Sequence, residues 1–387
     1  MNPQRVFLTG ATGILGSWLL ADALRQGYQA TVLMRDNSEA DARRRLDKVL
    51  GVAGLRHAAQ GVQICGGDVS QPDFGLSRGT LAKLRRDTDL FIHCAASVSF
   101  DPQKEQDTWQ TNMQGAVHVL DVLADTQIPL YHVSTAYVAG KNPGLWRETD
   151  LHAEQEFNNS YEHSQYECET LVQGAFASGN YRGAIFRPAI IVGATLGGRI
   201  AQFLNFYGFL RLMEVALDPR LHPGGPVRLP LNPSCTKNLV PVDWTAAALW
   251  KIIQKEGPSG KVYNLTHPRP VSLGDLVHWA NSRMDGTDVT FESVESIDDK
   301  GTLLERMAQM QLRHYNPYLK QEPAFDRTNT DQALNGALPF PTMDSSFFDM
   351  LFHFASSQGW RNVFAQQRKT REIAAPVLGP IAATAAS

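Results

Sequence analysis

Cysteine is scarce, with four in 387 residues. Cys65, Cys94, Cys168 and Cys235 form no C-x-x-C pair, so neither a zinc knuckle nor a disulfide framework is expected, and reduced thiols of a cytoplasmic protein are the simplest reading. Charge of one sign is also lacking. A formal net charge of -3 leaves no basic face for nucleic acid. No uninterrupted apolar run approaches the roughly 20 residues that cross a bilayer. One stretch imitates a secretory signal, Val6 to Leu20 behind Arg5, but Gly10, Thr12, Gly13 and Gly16 break it and no small-residue cleavage site follows. No internal repeat is visible. The length excludes a small stapled scaffold and allows one large α/β unit with insertions or two unequal domains.

What is present is an alternation. Short β-rich apolar runs (Arg5 to Thr9, Ala30 to Met34, Val62 to Gly66, Leu90 to His93, Leu130 to Ser134, Tyr181 to Val192) are separated by helical patterns (Ser17 to Gln26, Ala40 to Leu50, Leu81 to Arg86, Thr111 to Ala124, Tyr161 to Ala177). Parallel neighbours cannot be joined by a tight hairpin, so this order predicts a Rossmann-type, doubly wound parallel α/β sheet. The sheet domain is expected over 1–193, completed by about 236–266, where Lys261 to Leu265 reads as one more strand. A smaller C-terminal substrate-binding region is expected over 194–235 and 267–362. The end, 363–387, reads as a flexible or docking tail.

Thr9-Gly10-Ala11-Thr12-Gly13-Ile14-Leu15-Gly16 follows the first strand and opens the first helix. Glycine is needed where the backbone turns tightly and approaches a pyrophosphate held at a helix N-terminus, so this segment predicts dinucleotide binding. The second strand ends in Arg35, and Arg43, Arg44 and Arg45 follow one helical stretch later. An NAD site would place an acid at that strand end, whereas arginine pairs with a 2'-phosphate, and NADP(H) is therefore expected although Asp36 lies one position on. Phe203, Leu204, Phe206, Tyr207, Phe209, Leu210, Leu212 and Met213 are too dense for a surface helix. Phe203 and Tyr207 are taken as substrate contacts, with a buried core helix or a homodimer contact as the equal alternative.

Further motifs extend the pattern: Gly67-Asp68-Val69, His93-Cys94-Ala95-Ala96-Ser97-Val98, Asn112, Val133-Ser134-Thr135-Ala136-Tyr137, Tyr161, Arg187-Pro188 and Val240-Pro241-Val242-Asp243. Together with the glycine loop they span roughly Val6 to Leu265, and the chain resembles the extended short-chain dehydrogenase/reductases. Within them it resembles the branch of the thioester reductase domains and fatty acyl reductases. The resemblance implies that Asp68 and Val69 lie beside the adenine and that Ala95, Ala96, Ser97, Asn112, Arg187 and Pro188 belong to the cofactor site. Ser97 is also implied at the substrate. Thr135 is implied to hold the substrate oxygen, and Tyr161 to be the acid/base.

The chain departs from that pattern at one position. The family has Tyr-x-x-x-Lys, and here Tyr161-Glu162-His163-Ser164-Gln165 puts glutamine where the lysine belongs. Gln165 can hydrogen-bond a ribose but brings no charge to favour tyrosinate. Tyr137 to Lys141 has the right spacing but sits in a loop ahead of Pro143, and is read as a coincidence. His163 as a second proton donor and Cys168 as an acyl trap are weaker readings. The resemblance implies an NADPH-dependent reductase of a hydrophobic carbonyl compound, first an acyl thioester on coenzyme A or a carrier protein, or its aldehyde. The alternatives are a ketone or aldehyde reductase, a nucleotide-sugar epimerase or dehydratase, which the apolar region disfavours, and a non-catalytic sensor or scaffold.

Overall fold

The computed structural model describes residues 4–35, 38–218, 225–297 and 301–363. Asp36 and all of the expected tail beyond Val363 lie outside them. β1 (Arg5–Thr9), α1 (Ile14–Arg25), β2 (Gln29–Met34), α2 (Glu39–Val52), β3 (Gln63–Gly66), α3 (Arg78–Arg86) and β4 (Leu90–His93) alternate as the apolar runs predict. The helix expected from Thr111 starts earlier. α4 (Glu105–Trp109) passes through one π turn, Gln110–Gln114, into α5 (Gly115–Leu123). Then come β5 (Leu130–Val133), the short β6 (Leu145–Trp146), α6 (Ser160–Ala177), β7 (Gly183–Pro188) and β8 (Ile190–Val192).

The second half holds α7 (Tyr207–Ala216), β9 (Gly225–Pro230), β10 (Thr236–Lys237), β11 (Leu239–Pro241), α8 (Val242–Glu256) and β12 (Val262–Leu265). After these come β13 (Val271–Ser272), α9 (Leu273–Arg283), β14 (Val289–Val294), α10 (Leu303–Leu312), α11 (Asn316–Lys320), β15 (Ala324–Phe325), α12 (Thr328–Leu334) and α13 (Ser345–Ser357).

Seven strands form one parallel sheet in the order β12-β7-β5-β4-β1-β2-β3. Between β1 and β4 the winding reverses, which opens a crevice at their carboxyl ends, where ligands bind in such sheets. Side chains of both strand faces are buried, as the continuous apolar runs require. One face packs Val6, Leu8, Val32 and Ile92 against Trp18, Leu19, Leu46 and Trp250. The other packs Phe7, Phe91 and Ile185 against Leu84, Val119 and Val172.

The strand expected over Tyr181–Val192 divides at Ala189. β7 stays in the sheet, while β8 leaves it to pair with β11, so Ile190 to Val192 lead into a second core built from α7, α9, α10, α13, β9 and β14. Within the aromatic stretch that starts at Phe203, the helix begins only at Tyr207, because Asn205 takes φ +51°. α12 turns back to pack on α8 and β12, with Ala333 and Leu334 in the sheet-side core. Part of the segment expected to serve the substrate region thus belongs to the nucleotide-binding layer. No helix among the described residues is long and apolar enough to cross a membrane.

Candidate active site

The glycine loop occupies the crevice. Gly10 has φ +74°, and a Cβ there would lie 2.5 Å from the Cys94 carbonyl oxygen. A Cβ on Gly16 would lie 2.1 Å from the Gly10 carbonyl oxygen, so the contact between loop and helix also requires glycine. Gly13 caps α1 with no side-chain hydrogen bond, and the first turn holds no acidic residue. The positive end of the helix therefore stays available to an anion, and this cradle fits a dinucleotide's pyrophosphate.

Thr9 supports the loop from below. Its hydroxyl lies 2.8 Å from His93 Nδ1 and accepts the Cys94 and Ala95 amides at 3.2 and 3.3 Å, tying β1 to the end of β4. His93 stacks on His132 at 5.5 Å. Burial, with His132 alongside, pushes His93 down to about 3, and burial pushes His132 down to about 4, so both rings are neutral. At the far end of the loop, Arg45 donates to Thr12 Oγ1 at 3.4 Å and to the Arg35 carbonyl at 3.2 Å. The exposed Arg35 guanidinium lies 3.8 Å from the Asp68 carboxylate.

α6 carries Tyr161 and Gln165, the side chains expected to act on a substrate. Asn159 caps it by accepting the Glu162 amide at 3.0 Å, which sets Tyr161 in the first turn, Gln165 one turn on and Cys168 on the same face. Thr135, at the end of β5, accepts the Tyr137 amide at 3.3 Å and sits beside the Tyr161 phenol. Burial pushes that phenol up to about 12, and the Thr135 hydroxyl offsets part of the rise. Gln165 is 3% exposed, and its amide has no hydrogen-bond partner among the described residues. Burial also pushes the Cys94 and Cys168 thiols up to about 12, leaving both protonated and unsuited to trap an acyl group.

Thr135, Tyr161, Gln165 and Cys94 line one cavity of about 310 Å³. Its wall is drawn from the loop (Gly13, Ile14, Leu15, Gly16), from Ala96, Thr135, Tyr161, Gln165 and Pro188, and from apolar residues of the second core such as Leu204, Phe206, Phe209, Leu229 and Leu276. Phe100 packs its ring 5.9 Å from Tyr161 and 5.9 Å from Tyr318. The glycine cradle, a phenol and an apolar wall thus share one chamber.

A family model described as Male sterility protein matches residues 8–249. The chain belongs to the male sterility protein family. It is a thioester reductase-like member of the extended short-chain dehydrogenase/reductases, which are NAD(P)-dependent oxidoreductases. Aldehyde reductase lnaA of Aspergillus flavus is 28% identical over 386 residues, covering 90% of this chain and 36% of that protein. A carboxylic acid reductase of Mycobacterium tuberculosis is 25% identical over 330 residues, covering 78% of this chain and 28% of that protein. The chain spans about a third or less of the length of these curated relatives. The terminal R domain from the myxalamid PKS-NRPS biosynthetic pathway shares the fold, with TM-score 0.76 and 23% identity over 93% of this chain and 92% of that one.

Several residues that the resemblance to the extended short-chain dehydrogenase/reductases or the arginine and aromatic patterns assign to ligands have other duties here. Arg187 is completely buried in an ion pair with Glu169 at 2.6 Å and also donates to the Arg147 and Asp150 carbonyls, so its guanidinium braces β7 against α6 and does not line the cavity. Arg44 turns to Asp41 on the exposed face of α2, and Arg45 takes the position facing the loop. The Ser97 amide donates to Asn112 Oδ1 at 2.7 Å and its hydroxyl meets Thr108 at 3.1 Å, away from the cavity. Asn112 continues to Ser164 at 2.9 Å and braces α6 from the π turn. Val69 is buried, with its carbonyl 2.9 Å from His118 Nδ1.

Phe203 and Tyr207 face the second core, not the cavity. Tyr207 accepts the Gly193 amide at 2.9 Å and Phe203 packs on Tyr207, Phe354 and Trp360, so the core reading of that aromatic stretch holds for this pair. Neighbouring Leu204, Phe206 and Phe209 reach the cavity instead. Lys141 pairs with exposed Glu156 at 2.9 Å, yet Tyr137 itself lines the cavity and donates to Glu322. His163 lies at the surface against Phe157 and Glu167. The sequence reading missed Phe100, Lys237, Tyr318 and Glu322. Phe100 and Lys237 adjoin motifs without belonging to them; Tyr318 and Glu322 lie in a segment with no pattern tying it to the sheet.

Proposed function

We propose that this chain is an NADPH-dependent reductase of a hydrophobic carbonyl substrate, an acyl thioester on coenzyme A or a carrier protein, or the corresponding aldehyde. The observation that carries the reading is the single cavity in which the glycine loop, the Thr135–Tyr161 pair and an apolar wall meet. The two relatives, one an aldehyde reductase and one a carboxylic acid reductase, support the carbonyl chemistry. Arg45 beside Thr12 and the exposed Arg35 at the end of β2 support a 2'-phosphate, which guanidinium groups would neutralise.

Gly10 to Gly16 would hold the cofactor's pyrophosphate, and the group so held would supply a hydride. Negative charge then develops on the substrate oxygen, and Thr135 Oγ1 hydrogen-bonds it while Tyr161 gives up its phenolic proton to it. Gln165 would hold the ribose through its side-chain amide, in place of a lysine ammonium. The apolar wall excludes water from the reacting carbonyl.

The test is NADPH consumption by the purified protein with aliphatic and aromatic thioesters, aldehydes and ketones, products being identified by mass spectrometry. Tyr161→Phe is expected to lower turnover by about 10²- to 10⁴-fold, the usual contribution of a positioned proton donor. NADPH binding without turnover on any carbonyl would overturn the reading and favour a sensor, a role that the uncharged Gln165 would suit.

A further inference from the structure

Lys237 is the only charged side chain in the wall of the cavity as described. It lies on β10, its side chain is 7% exposed, and its Nζ has no hydrogen-bond partner among the described residues. Glu322 is the ion-pair partner, but at 3.5 Å. The Glu322 carboxylate is satisfied from elsewhere: Tyr137 donates its hydroxyl, and Asn238 donates its amide at 2.9 Å and its side-chain nitrogen at 3.3 Å. The Cys235 thiol also neighbours the ammonium, and thiol sulfur is a weak acceptor. Three donors on one buried cation are thus left without a good acceptor, a costly arrangement unless a ligand supplies one.

We infer that Lys237 recognises a neutral carbonyl oxygen, keto or amide, carried on the substrate several bonds from the carbon that is reduced. The charge balance selects this chemistry. Glu322 already neutralises the ammonium, so a carboxylate or phosphate would add an uncompensated buried anion beside it. A carbonyl oxygen accepts without adding charge, and it has no proton of its own to place against Leu231 and Leu239. The flexible four-carbon stem lets the ammonium follow the acceptor. Such an oxygen could come from an oxygenated acyl chain or from a pantetheine arm carrying a thioester. The inference rests on the cavity being the site of a carbonyl substrate.

Lys237→Met alone would strand Glu322 as an unpaired buried carboxylate, so the test uses the double variant Lys237→Met, Glu322→Gln, with its melting curve confirming the fold. Two substrate pairs are compared by NADPH oxidation: 6-oxodecanal against decanal, and S-octanoyl pantetheine against the S-octanoyl ester of ethanethiol. In at least one pair the wild type is expected to favour the oxygenated member by about 10- to 100-fold in kcat/KM, the range of a hydrogen bond to a charged group, and the variant to bring that ratio near one. An effect in the first pair assigns the oxygen to the acyl chain, and one in the second assigns it to the arm. Equal ratios in wild type and variant for both pairs would overturn the inference. If the wild type turns over nothing, the reductase reading fails separately, and calorimetric Kd values for the same compounds on the NADP⁺-bound protein decide the role of Lys237.

Discussion

With Gln165 in the place of a cation, nothing at that position offsets the burial that holds the Tyr161 phenol near about 12. A proton donor with that pKa stays loaded through the neutral range, so reduction is expected to show no loss of the donor between pH 6 and 9. The oxidative direction needs tyrosinate, whose population rises tenfold per pH unit below the pKa, so the oxidative rate should climb steadily over the same range. Gln165→Lys introduces a charge that favours tyrosinate, and it should raise oxidation at pH 7.5 by about tenfold or more while changing reduction by less than about threefold. Rates in both directions check this; equal effects would show that Gln165 does not set the proton balance. The residues behind this prediction were legible in the sequence because Tyr161 and Gln165 are four apart on one helix. Thr135 and Tyr161 are 26 positions apart, and only the resemblance to a known family joined them before the fold was known.

Helix α2 illustrates what an element adds to a motif. Three consecutive arginines cannot all face the same way on a helix, since neighbours are separated by about 100°. Arg43 turns to Glu39 and to the Ala59 carbonyl, Arg44 to Asp41, and Arg45 to Thr12 and Arg35. Arg45→Ala is accordingly expected to weaken NADPH binding by about tenfold or more, with little effect on NADH, and Arg44→Ala to leave both nearly unchanged. Fluorescence titration with the two cofactors measures this, and an equal loss in the two variants would remove Arg45 from the phosphate site. Sequence placed arginines at the end of β2 and along α2. Choosing one arginine among three needed the phase of the helix.

At the scale of the whole molecule, the buried histidines make stability depend on acid. His93 and His132 stay neutral in the fold, pushed down to about 3 and about 4 chiefly by burial, whereas in the unfolded chain they titrate near about 6.5. The unfolded state therefore binds more protons below about pH 6.5, and stability is fully present above that value and falls as the pH drops. By pH 5 the loss is about 2 kcal/mol for each imidazole. Urea midpoints at pH 7 and pH 5 are expected to differ accordingly, and His132→Phe should shrink the difference; coincident midpoints would mean that the rings are not neutral inside the fold.

The sequence by itself determined the parallel sheet, the glycine loop and the helix bearing Tyr161, because each is written in local terms: strand-length apolar runs, glycines where a Cβ would strike backbone, and a capped helix start. Tertiary structure alone decided which polar groups face the cavity. Arg187 was taken up by Glu169, and Tyr207 by the Gly193 amide, since a buried polar group binds the partner that packing brings nearest. Lys237, Glu322 and Tyr137 meet across 185 positions of chain between Tyr137 and Glu322, a separation that no periodicity records. Their meeting follows from β8 leaving the sheet to pair with β11, which brings Val240 and Tyr318 against Ala136 and Tyr137 just beyond the carboxyl end of β5.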